Sequence, residues 1–272
     1  MGYMVIRGEE ILRIFLDEIA IVLIENPAVS LTGCLLEALN ERKIRVIFCG
    51  STRSPIAELV PYYGSADCSG KLRSQIAWSQ SAKDVVWRQI VADKIAKQAE
   101  QLAARNHAEE AALLESYLSQ IEYQDQTNRE GHAAKVYFNA LFGMDFSRSQ
   151  ASPKNAALNY GYGVLLSAFN REIAANGYCT QLGIHHDNAQ NPFNLSSDLM
   201  EPFRILIDRE TANMELQDFS KEDKYRLVDL LNQRVRIADS EQTVLNAIRI
   251  YTRSILSSLN DGGTGKILFY SV

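Results

Sequence analysis

The feature of this sequence that most constrains its fold is a change of pattern near residue 70. Before that point, short segments rich in Ile, Val and Leu alternate with polar turns, which is typical of β-strands. After it, apolar residues recur at intervals of three and four, which is typical of amphipathic helices. The contrast predicts an α+β fold, with a small β-rich domain over residues 1–67 and a larger all-α domain over residues 68–272.

The β-rich part contains four predicted strands and one predicted helix. The strands cover 3–6, 11–16, 19–24 and 44–49. Either Ser30 or Thr32 can cap the helix, which is predicted to end near Arg42. The stretch from 50 to 70 is rich in Ser, Pro and Gly, so we predict a linker or a domain edge near 65–70.

The second part is predicted to consist of helices, beginning with a long one that starts at Lys71. Further helices are predicted over 108–122, 128–142, 153–176, 197–213, 221–236 and 240–259, followed by a turn and a short final strand. The first helix carries the basic residues Lys71, Arg73, Lys83, Arg88, Lys94 and Lys97. A solvated helix face is the simpler interpretation of these charges, and a track for DNA is the alternative.

Composition limits the possible functions. The chain of 272 residues has a formal net charge of −5, which disfavours nucleic-acid binding by bulk charge but is compatible with a local basic face. No apolar run approaches the roughly 18 residues of a membrane span, and the first residues lack a secretory signal. We therefore expect a cytoplasmic protein without membrane contact. Four scattered cysteines predict free buried thiols.

The segment "LGIHHDNAQNPFNLSSDLMEPFR", residues 182–204, holds two of the four histidines together with Asp198 and Glu201. On a helix these two carboxylates lie about 60° apart, on one face. A capping box, in which Asp198 caps the helix and Glu201 reaches back, is the simpler interpretation. Pro202 favours a helix that starts nearby. A ligand site is the alternative.

A second acidic position lies in "NREGHAAKVYFNALFG", residues 128–143. Glu130 shares a helix face with Tyr137, where a buried carboxylate needs a partner such as Arg129 or Arg204. If Glu130, a histidine and Glu201 converge, they form an oxygen-rich site with one imidazole, which suits Mg²⁺ or Mn²⁺. Such metals commonly act on phosphodiesters, and Arg204 and Lys135 could add positive charge there.

Three segments, taken in order and spacing, carry a family resemblance. "TNREGHAAKVYFNALFG", "NAALNYGYGVLL" and "LGIHHDNAQNPFNLSSDLMEPFR" resemble the Cas-one (Cas1) family, the CRISPR-associated integrases of spacer acquisition, and are most similar to members from type II systems. The segment "PYYGSADCSGKLRSQIAWSQ" resembles the hinge between the two domains of that family. The similarity covers nearly the whole chain. It implies a metal-dependent DNA integrase and endonuclease that inserts short foreign DNA into a CRISPR array.

The resemblance also assigns site residues. It implies that Glu130, His186, Glu201 and Asp198 are catalytic, and that Glu130, His186 and Glu201 hold Mg²⁺ or Mn²⁺. Glu130 belongs to the Glu-Gly-x-Ala-Ala motif, and Glu201 ends the Asp-Leu-Met-Glu motif with Asp198 as a nearby acid. His186 stands three residues after Gly183 of the Leu-Gly motif.

Other positions receive supporting roles. His185 stands where the family usually has an apolar or aromatic residue, so the resemblance implies that it packs beside the ligand or supports it. The residues implied to line or brace the site are Asn155, Asn159, Tyr160 and Tyr162, although packing on one helix explains the two tyrosines equally well. Tyr137 and Arg204 are candidates for contact with DNA.

The resemblance implies partners as well. They are double-stranded DNA (the prespacer and the CRISPR leader–repeat), a second copy of the chain, a dimer of Cas-two (Cas2), and other adaptation proteins of type II systems. Members of the family usually begin with one or two strands before the segment that matches residues 3–6. We therefore expect an unpaired sheet edge in the N-terminal domain.

Two other functions compete with this one. His186-Asp187 resembles part of an HD-type phosphohydrolase site, which would need a further histidine and aspartate, and only His107 and His132 remain as histidines outside this segment. A non-catalytic subunit for DNA binding or assembly, whose acidic residues are structural, is the other. Hydrolysis of nucleotides would favour the first, and metal-independent DNA binding without strand transfer would favour the second.

Overall fold

In the computed structural model, which describes residues 2–8, 10–50, 55–59 and 67–271, a strand-rich N-terminal part precedes a mostly helical part. The N-terminal elements are β1 (Tyr3–Arg7), β2 (Ile11–Phe15), β3 (Ile21–Ile24), α1 (Gly33–Glu41), β4 (Arg45–Cys49) and β5 (Pro55–Glu58). β1 and β2 form an antiparallel hairpin, whereas β3 pairs in parallel with β4, which pairs antiparallel with β5. Parallel pairing requires a crossover connection, and α1 supplies it.

The N-terminal elements enclose a small apolar cluster formed by Met4, Leu16, Leu39, Ile44 and Val46. Thr32 accepts a hydrogen bond from the backbone N–H of Leu35 and so caps α1, which confirms one of the two predicted caps. Residues 65 and 66 of the predicted linker or domain edge near 65–70 lie outside the described residues. Its last residues belong to α2, which begins at Cys68, so the linker alternative does not extend over residues 68–70.

The helical elements are α2 (Cys68–Ile76), α3 (Gln80–Ala104), α4 (Ala108–Leu118), α5 (Arg129–Phe142), α6 (Pro153–Ala175), α7 (Asn194–Met200), α8 (Arg204–Ala212), α9 (Lys221–Asp229) and α10 (Val244–Asn260). They surround a second, larger apolar cluster that includes Trp87, Phe169 and Tyr251. The α+β fold class is confirmed, and α5 and α6 match their predicted ranges to within one residue.

Two predicted helices are interrupted. The first breaks after α2, because Ser79 accepts a hydrogen bond from the backbone N–H of Ala82 and caps a new helix, α3. The helix predicted over 197–213 is divided into α7, a 3₁₀ turn over Glu201–Phe203, and α8. Pro202 cannot donate a backbone hydrogen bond, so the helical pitch changes at that turn.

A hairpin replaces the predicted junction between the last two helices. β6 (Arg234–Ile237) pairs antiparallel with β7 (Ser240–Thr243). The two turn residues, Ala238 and Asp239, have φ values of 50° and 59°, as in a type I′ turn, which usually contains Gly or Asn. Ala238 is not typical of such a turn, so the hairpin was not predicted from the sequence. The predicted final strand is reduced to one bridge between Arg236 and Ser271.

All four cysteines are free, but only Cys49 is buried, while Cys34 is exposed and Cys68 and Cys179 are partly buried. The prediction of buried thiols is thus correct only for Cys49. Among the helices in the described part of the chain, none combines the length and the apolar character that a bilayer crossing requires.

Candidate metal centre

Glu130 lies in the first turn of α5, whose backbone is fixed by two neighbouring side chains. Asp125 accepts hydrogen bonds from the backbone N–H groups of Arg129 at 2.8 Å and Glu130 at 2.9 Å. Asn128, which has a left-handed φ of 51°, accepts one from the N–H of Gly131 at 3.2 Å. These bonds satisfy N–H groups that have no partner within the helix. They fix the point from which the Glu130 side chain extends.

Lys94, in the middle of α3, joins Glu130 to Glu201. Its Nζ lies 2.6 Å from Oε1 of Glu130 and 2.5 Å from Oε2 of Glu201. The other carboxylate oxygen of Glu201 lies 3.0 Å from Nε of Arg204. Glu130 therefore pairs with Lys94, and not with Arg129 or Arg204 as one interpretation of the sequence expected. Two glutamates that are far apart in the sequence share one cation.

The lysines of α3 correct another expectation. Lys94 and Lys97 were predicted on a solvated face or a DNA track, yet both are buried. Lys97 is paired with Asp93 and lies over the ring of Tyr270. The two buried lysines of the basic stretch therefore form internal ion pairs.

Charge and burial act in opposite directions at this centre. Burial alone would raise the pKa of Glu201, but the charges of Arg204 and Lys94 hold that pKa below its ordinary value. Burial would lower the pKa of Lys94, while Glu201 and Glu130 raise it above its ordinary value. Lys94 and Glu201 are consequently both charged at neutral pH.

Asp198 holds the loop that carries the two adjacent histidines. Its carboxylate accepts hydrogen bonds from the backbone N–H groups of Ile184 at 2.6 Å, His185 at 3.1 Å and His186 at 3.0 Å. Asp198 is completely buried inside α7, and Phe193, at the N-cap of that helix, provides no side-chain cap. The predicted capping box is therefore wrong. Asp198 organises the histidine loop instead.

The same carboxylate fixes the ring of His186. Oδ1 of Asp198 lies 2.5 Å from Nδ1 of His186. This hydrogen bond raises the pKa of His186 against the effect of burial, and the charges of Glu201 and Glu130 raise it further. Since those two carboxylates act on His186, the three residues assigned as ligands influence one another electrostatically.

The residues present are chemically suited to Mg²⁺ or Mn²⁺. Glu130 and Glu201 already direct one oxygen each towards a common cation, the Lys94 ammonium group. With its Nδ1 engaged by Asp198, His186 has Nε2 as its second ring nitrogen. Within residues 2–8, 10–50, 55–59 and 67–271, no three His, Cys, Asp or Glu side chains already stand together as a ligand set. Two oxygens and one imidazole nitrogen nevertheless match the preference of these ions.

A buried network also contacts Arg204. The Arg204 guanidinium lies 4.7 Å from the centroid of the Tyr162 ring, and the Tyr162 hydroxyl donates a hydrogen bond to Asp208 on α8. Burial raises the pKa of Asp208 to about 7. Tyr162 thus lies against the arginine that pairs with Glu201, and its role in bracing a metal site stays a prediction. Tyr137 is completely buried, so the expectation that it contacts DNA is wrong.

The other residues of this motif have separate structural roles. Arg148 donates hydrogen bonds to the side-chain oxygens of Asn155 and Asn159, each at 2.6 Å. Tyr160 donates to Glu25, which follows β3, at 3.0 Å. The two asparagines therefore hold the segment before α6, and Tyr160 connects α6 to the N-terminal part rather than to the candidate centre.

The fold combines a strand-rich N-terminal part with a helical remainder, and its buried centre has carboxylates beside a histidine. These features define the class of proteins with which this chain is compared. The family described as CRISPR associated protein Cas1 matches residues 3–235. The chain belongs to this family. It is 32% identical over 251 residues to a CRISPR-associated endonuclease Cas1 from Neisseria meningitidis, covering 90% of this chain and 83% of that protein.

Solved structures share the fold at low sequence identity. A CAS1 protein from Thermotoga maritima has a TM-score of 0.79 at 16% identity, covering 98% of this chain and 94% of that chain. A casposase bound to integration product has a TM-score of 0.77 at 18% identity, with 93% and 82% covered. A chain of a Cas6-RT-Cas1–Cas2 complex has a TM-score of 0.73 at 18% identity; the match covers 96% of this chain but only 33% of that longer chain.

Proposed function

We propose that this protein is a divalent-metal-dependent DNA integrase and endonuclease that inserts short DNA into a CRISPR array. The observation that carries the proposal is the convergence of Glu130 and Glu201 on one cation beside His186. The names of the related proteins support it, since one is a CRISPR-associated endonuclease and another structure is a casposase with an integration product.

In this proposal Glu130, His186 and Glu201 hold Mg²⁺ or Mn²⁺. When bound, the ion would stabilise the negative charge that develops on the attacked phosphate. Asp198 favours the His186 tautomer that carries its proton on Nδ1, which leaves Nε2 as the ligand atom. Arg204 is held by Glu201 and Tyr162. Its positive charge lies next to the centre, where it would stabilise the phosphate.

The proposed reaction is a direct transesterification. The 3′-hydroxyl of the incoming DNA forms a bond to a phosphorus of the repeat, and the bond from that phosphorus to its original 3′-oxygen breaks. One phosphodiester is formed for each one lost, and the proton released by the attacking hydroxyl is balanced by the proton that the leaving oxygen takes up. No nucleotide hydrolysis is needed. Glu130, His186 and Glu201 would hold the ion next to the attacked phosphate, and Arg204 would limit the build-up of negative charge.

We also propose that the protein acts as a homodimer with a dimer of Cas2 on double-stranded DNA. The β1–β2 hairpin leaves large apolar side chains exposed, namely Tyr3, Val5, Ile6, Ile11, Leu12 and Phe15. Exposed apolar patches of this kind are typical of protein–protein contacts. The structural similarity to a chain of a Cas1–Cas2 complex supports Cas2 as a partner. Dependence on other type II adaptation proteins remains part of the proposal.

A second candidate is a non-catalytic assembly subunit. Lys94 already forms ion pairs with Glu130 and Glu201, and a purely structural ion-pair cluster would have the same geometry. The HD-type phosphohydrolase has no such support, because Asp187 is exposed and His107 lies beside Glu110 at the start of α4. The integrase and the non-catalytic assembly subunit differ in whether Glu130 and Glu201 bind metal.

Strand transfer tests the proposal directly. The protein and its Cas2 partner are mixed with a labelled duplex bearing 3′-hydroxyls and a leader–repeat plasmid, in Mg²⁺, Mn²⁺ or EDTA. We expect joining only with metal, and we expect Glu130→Gln, His186→Ala and Glu201→Gln to reduce it at least 100-fold. Asp187→Asn is the matched control, since it changes an exposed acid adjacent to His186. Undiminished joining by Glu130→Gln would contradict the proposal, and hydrolysis of nucleotides without any joining of DNA would favour the phosphohydrolase.

A further inference from the structure

Beside the candidate centre, His185 lies flat on a buried tryptophan. The rings of His185 and Trp87 are 4.3 Å apart between centroids, and their planes differ by 4°. Trp87 is only 1% exposed, whereas His185 is exposed. Trp87 covers one face of the imidazole, so the exposed surface of His185 lies on the side away from it. This arrangement is a pre-formed aromatic platform at the protein surface.

The platform is rigid and shares its anchor with the candidate ligand. The backbone N–H of His185 donates to Asp198 at 3.1 Å, and the next residue, His186, bonds to the same carboxylate. The Nε1–H of Trp87 has no acceptor among the described residues, so packing and stacking hold this ring. One buried carboxylate therefore fixes both the platform and a proposed metal ligand.

A small cavity adjoins the platform. It has a volume of about 210 Å³ and is lined by Gln80, Asp84, Trp87, Gln126, Ile184 and His185, which we call the base site. Pockets for drug-sized ligands usually measure about 300–1,000 Å³, so this cavity suits a single ring system. No lysine or arginine is among these described lining residues, and the Asp84 carboxylate disfavours a phosphate. The amides of Gln80 and Gln126 can both donate and accept hydrogen bonds.

We propose that the base site binds one nucleobase of the DNA whose phosphate lies at the metal centre, with His185 as the stacking surface. Stacking on an aromatic side chain suits any base, because every base has a π-face. The two glutamine amides give the site a means to prefer certain base edges. The inference rests on the proposed function, since it assumes that a DNA strand enters the centre. The base can come from the incoming strand or from the repeat.

Abasic sites test the inference, because they remove a base and leave the backbone intact. In one series a single abasic site is moved along the 3′ end of the incoming strand, and in the other along the repeat near the junction. The incoming strand ends in a dideoxynucleotide, so that binding is measured without joining. The complex of the protein with Cas2 is titrated in Mg²⁺ by fluorescence anisotropy. His185→Ala is compared with His185→Phe, which keeps a stacking ring, and with His185→Leu, which keeps apolar bulk only.

For the wild type, we expect one abasic position to weaken binding about 5- to 100-fold. For His185→Ala and His185→Leu, intact DNA should bind more weakly by a similar factor, and the abasic position should cause little further loss. His185→Phe should retain both the affinity and the abasic penalty, and the series that shows the penalty identifies the strand. His107→Ala serves as a control, since His107 pairs with Glu110 on α4. Melting temperatures establish that each variant is folded.

The inference is overturned if no abasic position weakens wild-type binding, or if the penalty persists in both His185→Ala and His185→Leu. Strand transfer by the same wild-type preparation, with ordinary 3′-hydroxyl ends, tests the proposed function separately. Joining without an abasic penalty would remove only the base site. A penalty without joining would remove the integrase and leave a base-binding site.

Discussion

Asp198 and His186 meet twice at one oxygen atom: Oδ1 of Asp198 accepts the His186 backbone N–H at 3.0 Å and lies 2.5 Å from its Nδ1. Asp198 is fully buried, so it is a fixed point for the more exposed histidine. Both the position of the His186 backbone and the rotation of its ring therefore depend on a single carboxylate. That dependence gives Asp198 a role without requiring it to touch metal or DNA.

Replacement of Asp198 by asparagine should show how strongly the histidine loop depends on this carboxylate. Asn has the same shape but only one acceptor oxygen, so at least one of the backbone N–H groups of Ile184, His185 and His186 loses its partner. Each buried donor left unpaired costs about 1–3 kcal/mol. We expect lower stability in urea denaturation. We also expect about 10- to 100-fold weaker Mn²⁺ binding, because hydrogen-bond partners of ligands have effects of this size.

The control for this variant is Asp187→Asn, which removes an exposed carboxylate from the same loop. It should leave stability within about 0.5 kcal/mol of the wild type. Equal stability and equal Mn²⁺ affinity in Asp198→Asn and the wild type would show that the loop does not depend on this carboxylate.

Lys94→Met should make the protein more dependent on metal. Removing the ammonium group leaves the carboxylates of Glu130 and Glu201 close together and partly or fully buried. Breaking a buried ion pair in this way costs about 3–5 kcal/mol. A divalent cation shared by the two glutamates would restore part of this loss, by about 2.7 kcal/mol at 100 times its dissociation constant. Thermal melting in EDTA and in Mn²⁺ measures the difference.

Lys97→Met is the matched control, because Lys97 is also buried in α3 but pairs with Asp93. It should lose stability in both conditions without a larger recovery in Mn²⁺. If Mn²⁺ raises the melting temperature of the two variants equally, the glutamates do not bind the ion together.

The sequence predicted the parts of this centre that are local. The sequence pattern was enough to predict α5 and α6 to within one residue. The role of Lys94 was not predictable from local spacing. Its neighbours on α3 resemble a solvated basic face, and its two partners come from distant segments, α5 and the turn after α7. Only the packing of α3 against those segments shows that the lysine is internal.

The same limit explains the errors around Asp198. The spacing of Asp198 and Glu201 satisfies a capping box, but the helix begins earlier, at Asn194, and the carboxylate is used by a loop that precedes the helix. His185 offers a comparable case, since its stacking on Trp87 joins a loop to α3. Contacts between segments of this kind decide chemistry here, and helical periodicity carries no information about them.

Asp208 should make stability depend on pH between about 5 and 8. Burial raises its pKa from 3.8 to about 7, and the hydrogen bond from Tyr162 and the charge of Arg204 oppose that rise only in part. The raised pKa means that this stabilising contribution is complete below the unfolded pKa, near pH 4, and is lost as the pH rises through about 7. From pH 5 to 8 the loss is on the order of 3 kcal/mol.

Asp208→Asn cannot titrate, yet its side chain can still accept the Tyr162 hydroxyl. Its free energy of unfolding, relative to the wild type, should therefore rise by on the order of 3 kcal/mol between pH 5 and pH 8. Urea denaturation at several pH values provides the comparison, with Asp145→Asn, which changes an exposed acid, as the control. Parallel pH profiles for the wild type and Asp208→Asn would mean that Asp208 is not protonated in the folded protein.

Gly183→Ala tests whether the histidine loop tolerates even one added carbon. A Cβ at Gly183 would lie 2.7 Å from Oδ2 of Asp198 and closer still to the backbone oxygen of His186. Backbone cannot move aside as a flexible side chain can, so the loop must shift, and the bonds from Ile184 and His186 to Asp198 must lengthen. We expect the free energy of unfolding to fall by about 1–3 kcal/mol and Mn²⁺ binding to weaken.

Gly33→Ala is the control, because a Cβ there meets nothing within 4 Å. Gly183 is not one of the proposed metal ligands. Reduced Mn²⁺ affinity in a folded Gly183→Ala protein would therefore show that the hydrogen bonds to Asp198 set the geometry of His186. Unchanged affinity would show that the loop adapts to the metal without that anchor.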